Sequence, residues 1–228
     1  MTEPAFDLDA VIALATELAQ PAPPSVVADF ARAFLAGVER ADGAGERGLA
    51  VRVAEAFAFA AERAPGALVV RVASPEEHPG RTVIELLQDD RPFLVDTTRL
   101  VLRRLGLRER LFLHPILGTR RDQAGRMAAI DPAPDAPRES LLHVEVSPRL
   151  DDPARRAEVE AHLRTAMEQV RAVTEDFARM VRVVRELEAR VEFAGPLLEP
   201  DGPLRARRVR TFLDWLVDGH FIFMGLRR

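Results

Sequence analysis

Between residues 8 and 60 apolar side chains recur every three or four positions, the period of helices that bury one face. Asp7 can cap a first helix that carries Leu8, Val11, Ile12, Ala15 and Leu18, and the prolines from Pro21 to Pro24 stop it. Ser25 can cap a second helix, with Val27, Phe30, Phe34 and Val38 on one stripe. A loop at residues 41–45 separates it from a third stripe, Leu49, Val53, Phe57 and Ala60, which ends near Pro65-Gly66. Three such helices must pack on one another, on the next domain or on another subunit.

After Gly66 the period changes to two, which predicts strands at residues 67–72 and 82–88. The second closes at Asp89-Asp90-Arg91-Pro92, and Pro92 suits the first turn of a helix with Leu94, Thr98, Val101, Leu102 and Leu105 on one face and Gly106 as its left-handed stop. Residues 110–119 read as a strand, where Pro115 cannot donate to a ladder and marks an edge or a bulge. Residues 121–125 form a hairpin-like turn, and 141–146 are the returning strand, reached through a Pro-rich stretch at 131–137 expected to be disordered. Asp152-Pro153 opens a helical pattern too long for one ordinary helix, with a break expected near Thr174. A linker at 196–203, a helix at 204–218 and a strand at 220–226 follow. An apolar strand so near the last residue suggests that the chain continues in a larger protein. The fold class is thus α+β: a helical segment at 1–65, a sheet domain at 66–150, a long helix or helix pair at 151–202, and a truncated unit of helix and strand at 203–228.

Composition removes chemistry rather than adding it. The 228 residues contain no Cys, which excludes disulfides, thiolate nucleophiles and Cys-based metal centres. All 32 basic residues are Arg, so lysine chemistry of every kind is excluded. A net charge of -4 with interleaved signs gives no footprint for nucleic acid or an anionic membrane. No apolar run approaches the roughly 20 residues of a membrane helix, and no secretory signal opens the chain, so a cytoplasmic protein is expected.

Five groups of residues, in order, carry a resemblance. They are Asp90, Arg91, Pro92, Phe93, Leu94, Val95 and Asp96 with Thr97; His114-Pro115; Arg121-Asp122 with Gly125; Glu139, Ser140 and His143 with Glu145; and His220-Phe221 with Phe223, Gly225 and Arg227. In this spacing the chain resembles the N-terminal region of the large bacterial NAD-dependent glutamate dehydrogenases, which has ACT-like domains ahead of a distant catalytic portion. The resemblance implies an ACT-like (ferredoxin-like βαββα) domain with additional C-terminal helices, and a non-catalytic regulatory or oligomerisation role. It implies oxidation of glutamate by NAD in the parent polypeptide, with no cofactor and no metal in this segment. The remainder of that polypeptide, further copies of the chain and an amino-acid effector are the implied partners. A free-standing amino-acid sensor is the alternative.

For a ligand, the resemblance points to the turn at Asp90, Arg91, Phe93 and Asp96, where ACT domains let an amino acid approach backbone amides at a glycine after Asp-x-Pro. Here Phe93 stands in the place of that glycine and obstructs such an approach, which sets effector binding against a purely structural role. Asp89, Asp90 and Asp96 are explained by helix capping. Gly43-Ala44-Gly45-Glu46-Arg47-Gly48 matches a dinucleotide fingerprint, but a helix rather than a strand precedes it. His143 and Glu145 alternate with Leu142, Val144 and Val146, which places them on the non-core face as a solvated or interfacial pair. His114 reads as a shaping element at the bulge rather than a general base.

Overall fold

The computed structural model describes residues 6–36, 38, 45–76, 80–131, 133, 136–194 and 201–220. The chain divides into two compact units, Met1–Met167 and Glu168–Arg228. In the first, helices α1 (Leu8–Leu18), α2 (Pro24–Phe34) and α3 (Gly45–Ala60) precede strands β1 (Val69–Ala73) and β2 (Thr82–Asp89). Helix α4 (Leu94–Arg104) leads to β3 (Arg108–Leu113), β4 (Ile116–Arg121), β5 (Met127–Ile130) and β6 (Arg138–Ser147), and then α5 (Pro153–Glu175) begins.

Local chemistry sets most of these boundaries. The Asp7 carboxylate accepts from the N–H groups of Asp9 and Ala10 and so starts α1. Helix α2 departs from expectation, because Pro23 is its N-cap and no side chain caps it. Ser25 lies inside the helix, displaced by Pro24, whose fixed φ already suits the first turn. Gly106 ends α4 with φ 73°.

Every strand pairing among the described residues is antiparallel. β2 and β6 are the two central strands, with β1 on the far side of β2. The single strand expected at 110–119 is two, β3 and β4, which follow one another along the same flank of β6 and are parted at His114-Pro115. Pro115 cannot donate, but its carbonyl accepts from the Leu141 N–H at 3.1 Å, so the ladder is broken without being abandoned. The turn expected at 121–125 is present, but the strand that returns from it is β5 and not the one expected at 141–146; Asp122 accepts from the N–H groups of Ala124 and Arg126 within it.

Both faces of this sheet are covered. Leu87, Leu117, Leu141 and Met127 share one core with Val11, Val27, Phe30, Phe34, Leu49, Val53 and Phe57 from α1, α2 and α3. On the opposite face Ile84, Leu86, Leu142, Val144 and Val146 are buried, along with Leu94 and Leu102 of α4 and Val159, Leu163 and Met167 of α5. The first three helices are therefore one layer of the sheet domain, not a separate appendage. The reading of His143 and Glu145 as solvated or interfacial is overturned for the same reason: each is 0% exposed.

In the second unit α5 ends at Glu175 and α6 (Phe177–Ala194) begins at Phe177, so the break falls at Asp176, close to Thr174. α7 (Gly202–Trp215) follows and runs into a π-helical turn, Leu216–His220. Arg185 bridges Glu188 and Asp214, which joins α6 to α7. Leu187, Phe193, Leu204 and Phe212 are exposed on these helices. The linker positions 196–200 lie outside the described residues, as do 132, 134 and 135 of the Pro-rich stretch and all but the first residue of the strand expected at 220–226. No helix among the described residues is long and apolar enough to cross a membrane.

Candidate functional site

The turn from β2 into α4 is built on an unusual backbone. Phe93 adopts φ 72° and ψ 3°, the left-handed region, and is the only non-glycine among the described residues with positive φ. That conformation costs a side-chain-bearing residue about 1–2 kcal/mol, which is why glycine is its usual occupant. The turn thus keeps a glycine-type backbone while carrying an aromatic side chain that is 42% exposed. Leu94, 1% exposed, anchors the helix behind it, Val95 is half-buried, and Pro92 lies just ahead of the helix rather than in its first turn.

No side chain caps α4, so the capping role expected of the aspartates is corrected. Asp89 accepts from Arg63 at 2.6 Å and lies 3.5 Å from Arg91. The Asp90 N–H donates to the Arg138 carbonyl at 2.9 Å, and its carboxylate accepts from the Ser140 hydroxyl at 3.2 Å. Asp89 is taken up by Arg63, just beyond α3, and Asp90 by Ser140 of β6, before either can reach the helix amides. Asp96 does lie in the first turn, where its charge suits the helix dipole, and lines a shallow cleft with Arg99, Arg103 and Glu109.

Behind the turn, Ser140 also hydrogen-bonds Nε2 of His114, which makes a chain from His114 through Ser140 to Asp90. Burial pushes the His114 pKa down, with Asp90 opposing it, so the ring is biased toward neutrality. The hydroxyl lies between the ring and the carboxylate, and Ser140 is 0% exposed, so this is a connector and not a nucleophilic triad. Gln88, directly opposite Ser140 across the ladder, is 4% exposed, and its Nε2 has no hydrogen-bond partner among the described residues.

The other face of the sheet carries two buried ion-pair networks. Glu139 accepts from Arg63 at 2.8 Å and from Arg121 at 2.7 Å. Burial alone would raise its carboxyl, but the Arg121 and Arg63 guanidiniums outweigh burial and hold it below the usual range. Arg121 also donates to the carbonyls of Ala60 and Ala61 at the end of α3 and to that of Gly125, so it caps a helix C-terminus and closes the hairpin together. In the second network Glu145 accepts from Arg52 of α3 at 2.7 Å and from Arg81 at 2.5 Å. His143 Nδ1 lies 3.2 Å from Glu85, which also accepts from Arg71 at 2.6 Å. Burial would raise the Glu145 carboxyl too, yet His143, Arg52 and Arg81 hold it far below the carboxylate range.

The sequence reading missed Arg52, Arg63, Arg71, Arg81 and Glu85. One signal was available: Glu85 stands among Val83, Ile84, Leu86 and Leu87, and a carboxylate in a buried apolar run needs a cation beside it. Nothing comparable marks Arg52, whose partner is 93 positions away in the chain. The glycine fingerprint at 43–48 is not delivered by a strand: the preceding described helix is α2, and Gly45 and Gly48 fall in the first turn of α3, while Gly43 and Ala44 lie outside the described residues. His220 closes the π-helical turn, and Phe221 and Gly225 lie outside the described residues. Among the described residues no group of three His, Asp or Glu side chains is arranged to hold a metal ion.

Residues 30–163 match the family described as "Glutamate dehydrogenase, ACT1 domain", a span that runs from α2 into α5 and takes in the whole sheet. The chain is similar to NAD-specific glutamate dehydrogenases from three bacteria. It is 35% identical to that of Halomonas elongata over 171 residues, which is 71% of this chain and 10% of the relative. Identity to the Pseudomonas aeruginosa protein is 34% over 168 residues, 68% of this chain and 10% of the relative. For Mycobacterium tuberculosis it is 28% over 173 residues, 73% of this chain and 10% of the relative. The match thus covers about a tenth of the length of each of these relatives.

Proposed function

Because the chain belongs to the glutamate dehydrogenase ACT1 domain family, we propose that it serves control and assembly of an NAD-dependent glutamate dehydrogenase, not turnover. The parent reaction, glutamate and NAD to 2-oxoglutarate, ammonia and NADH, belongs in this reading to other parts of a cytoplasmic polypeptide, and the NAD site with it. One observation carries the reading. The family-motif side chains with chemical potential, Arg121, Glu139, His143 and Glu145, are spent on buried ion pairs that fasten α3 and the hairpin to the sheet. The order β2, α4, β3–β4, β6, α5 supports an ACT-like, ferredoxin-like unit, with β1 holding the place beside β2.

Assembly in this reading runs through surfaces that the chain itself leaves open. The stripes of α1, α2 and α3 are not among them, since they form the core of the first unit. The candidates are the outer edges of β1 and β3 and the exposed Leu187, Phe193, Leu204 and Phe212 of the second unit. Light scattering on the purified chain at micromolar concentration tests this, with a dimer or larger species expected.

A second reading, the amino-acid sensor, is favoured by two features at one turn: the left-handed Phe93 with its uncapped helix, and the unsatisfied Gln88 carboxamide opposite Ser140. Phe93→Gly separates the two readings. Relief of the left-handed backbone should raise stability by about 1 kcal/mol, read as a higher urea midpoint. Under the assembly reading, calorimetric titration with glutamate, aspartate or a branched-chain amino acid gives no heat with either protein. Saturable heat from the wild-type chain, or heat that appears once the phenyl ring is removed, would favour the sensor.

A further inference from the structure

The His143 cluster gathers buried charges between α3 and the sheet. The ring is 0% exposed, with Glu85 at 3.2 Å on its Nδ1 side and Glu145 at 3.9 Å on its Nε2 side. Around these stand Arg71 from β1, Arg81 ahead of β2 and Arg52 from α3. Phe34 of α2 meets the imidazole edge to face at 5.3 Å, and Leu113 of β3 is its neighbour across the ladder. Neither of those two titrates; among the described residues the carboxylates that face the ring are Glu85 and Glu145.

A neutral imidazole carries one N–H and can satisfy one of the two carboxylates; the other then confronts a ring lone pair in a site without water's dielectric. An imidazolium donates toward both. Nε2 has no hydrogen bond within normal distance, so its interaction with Glu145 is one of charge across 3.9 Å and depends on the proton being there. Glu145 is also the carboxylate that holds Arg52, and hence α3.

We propose that His143 is a proton-dependent lock on the seam between the helical layer α2–α3 and the sheet, closed when the ring is an imidazolium and loosened when it loses its proton. The inference does not depend on which reading of the parent enzyme is correct. Burial opposes charge on this ring, but Glu145 and Glu85 outweigh it, and the pKa lies above the ordinary histidine value. A raised value in the folded state contributes stability that is fully present below the unfolded pKa of about 6.5 and is lost as pH rises through the folded one. Between those two values the folding constant should fall about tenfold per pH unit, the slope of one proton. The seam therefore loosens as pH rises through the folded-state value.

Nitrogen NMR of the histidine-labelled wild-type chain, titrated upward from pH 6, reports the ring directly. Both His143 nitrogens should remain mostly protonated at about pH 6.5, the ordinary histidine midpoint, and protection factors of α3 amides should fall above the His143 titration before those of β2 and β6. His143→Gln should flatten the alkaline arm of the stability profile while leaving the contribution of His114. A ring already mostly neutral at about pH 6.5 in the wild-type protein overturns the proposal even if the variant fails to fold, and so does α3 protection that is unchanged through the titration.

Discussion

Glu145→Leu should cost about 3–5 kcal/mol, because removing one partner of a buried ion pair strands the others. Arg52, whose side chain is 4% exposed, would lose its carboxylate in the core between α3 and the sheet, and Arg81 would lose a 2.5 Å partner. The loss should be read from urea unfolding at neutral pH, and it should shrink in acid. Glu145 is held far below its ordinary value when folded, so its contribution is present above the unfolded pKa of about 4.3 and fades as pH falls through the folded one. Adding Arg52→Met to the variant should recover part of the loss, since an apolar pair no longer leaves a buried guanidinium uncompensated. A cost below about 1 kcal/mol at neutral pH would mean that water or rearranged side chains reach Arg52.

Leu102→Asp should be comparably severe, at several kcal/mol. Leu102 is 2% exposed on the buried side of α4, one turn beyond Thr98, whose hydroxyl is satisfied by the Leu94 carbonyl at 2.8 Å. An aspartate there meets the apolar face of the sheet, and it either remains charged without a partner or takes up a proton at a cost of its own. Loss of the cooperative thermal transition is the expected result. A wild-type melting curve would show that this helix face is not what covers the sheet.

What the sequence made legible was period. The stripes of α1 to α3, the buried face of α4 and the alternation of β2 and β6 are written in the spacing of apolar residues, and the stops at Pro21 and Gly106 follow from backbone chemistry. The backbone at Phe93 was not legible, since nothing in a phenylalanine announces a left-handed residue; only the resemblance marked that position. The burial of His143 and Glu145 was hidden for a different reason. Alternation tells which residues share a face, but not whether a second layer covers it, and the covering layer here is contributed by helices some 90 residues earlier, through Arg52. Charged residues on a strand look solvated until their partners are known. The aspartates of the β2–α4 turn misled in the opposite direction, because Arg63 beyond α3 and Ser140 of β6 reach them ahead of the helix amides.

The claim that this segment controls and assembles but does not turn over substrate is tested most directly by following the mass of the purified chain while glutamate and NAD are present. The account predicts a dimer or larger species by light scattering and no formation of NADH at any pH. Sustained glutamate-dependent NADH formation by the chain alone, or a mass that stays monomeric across concentration and salt, would contradict it.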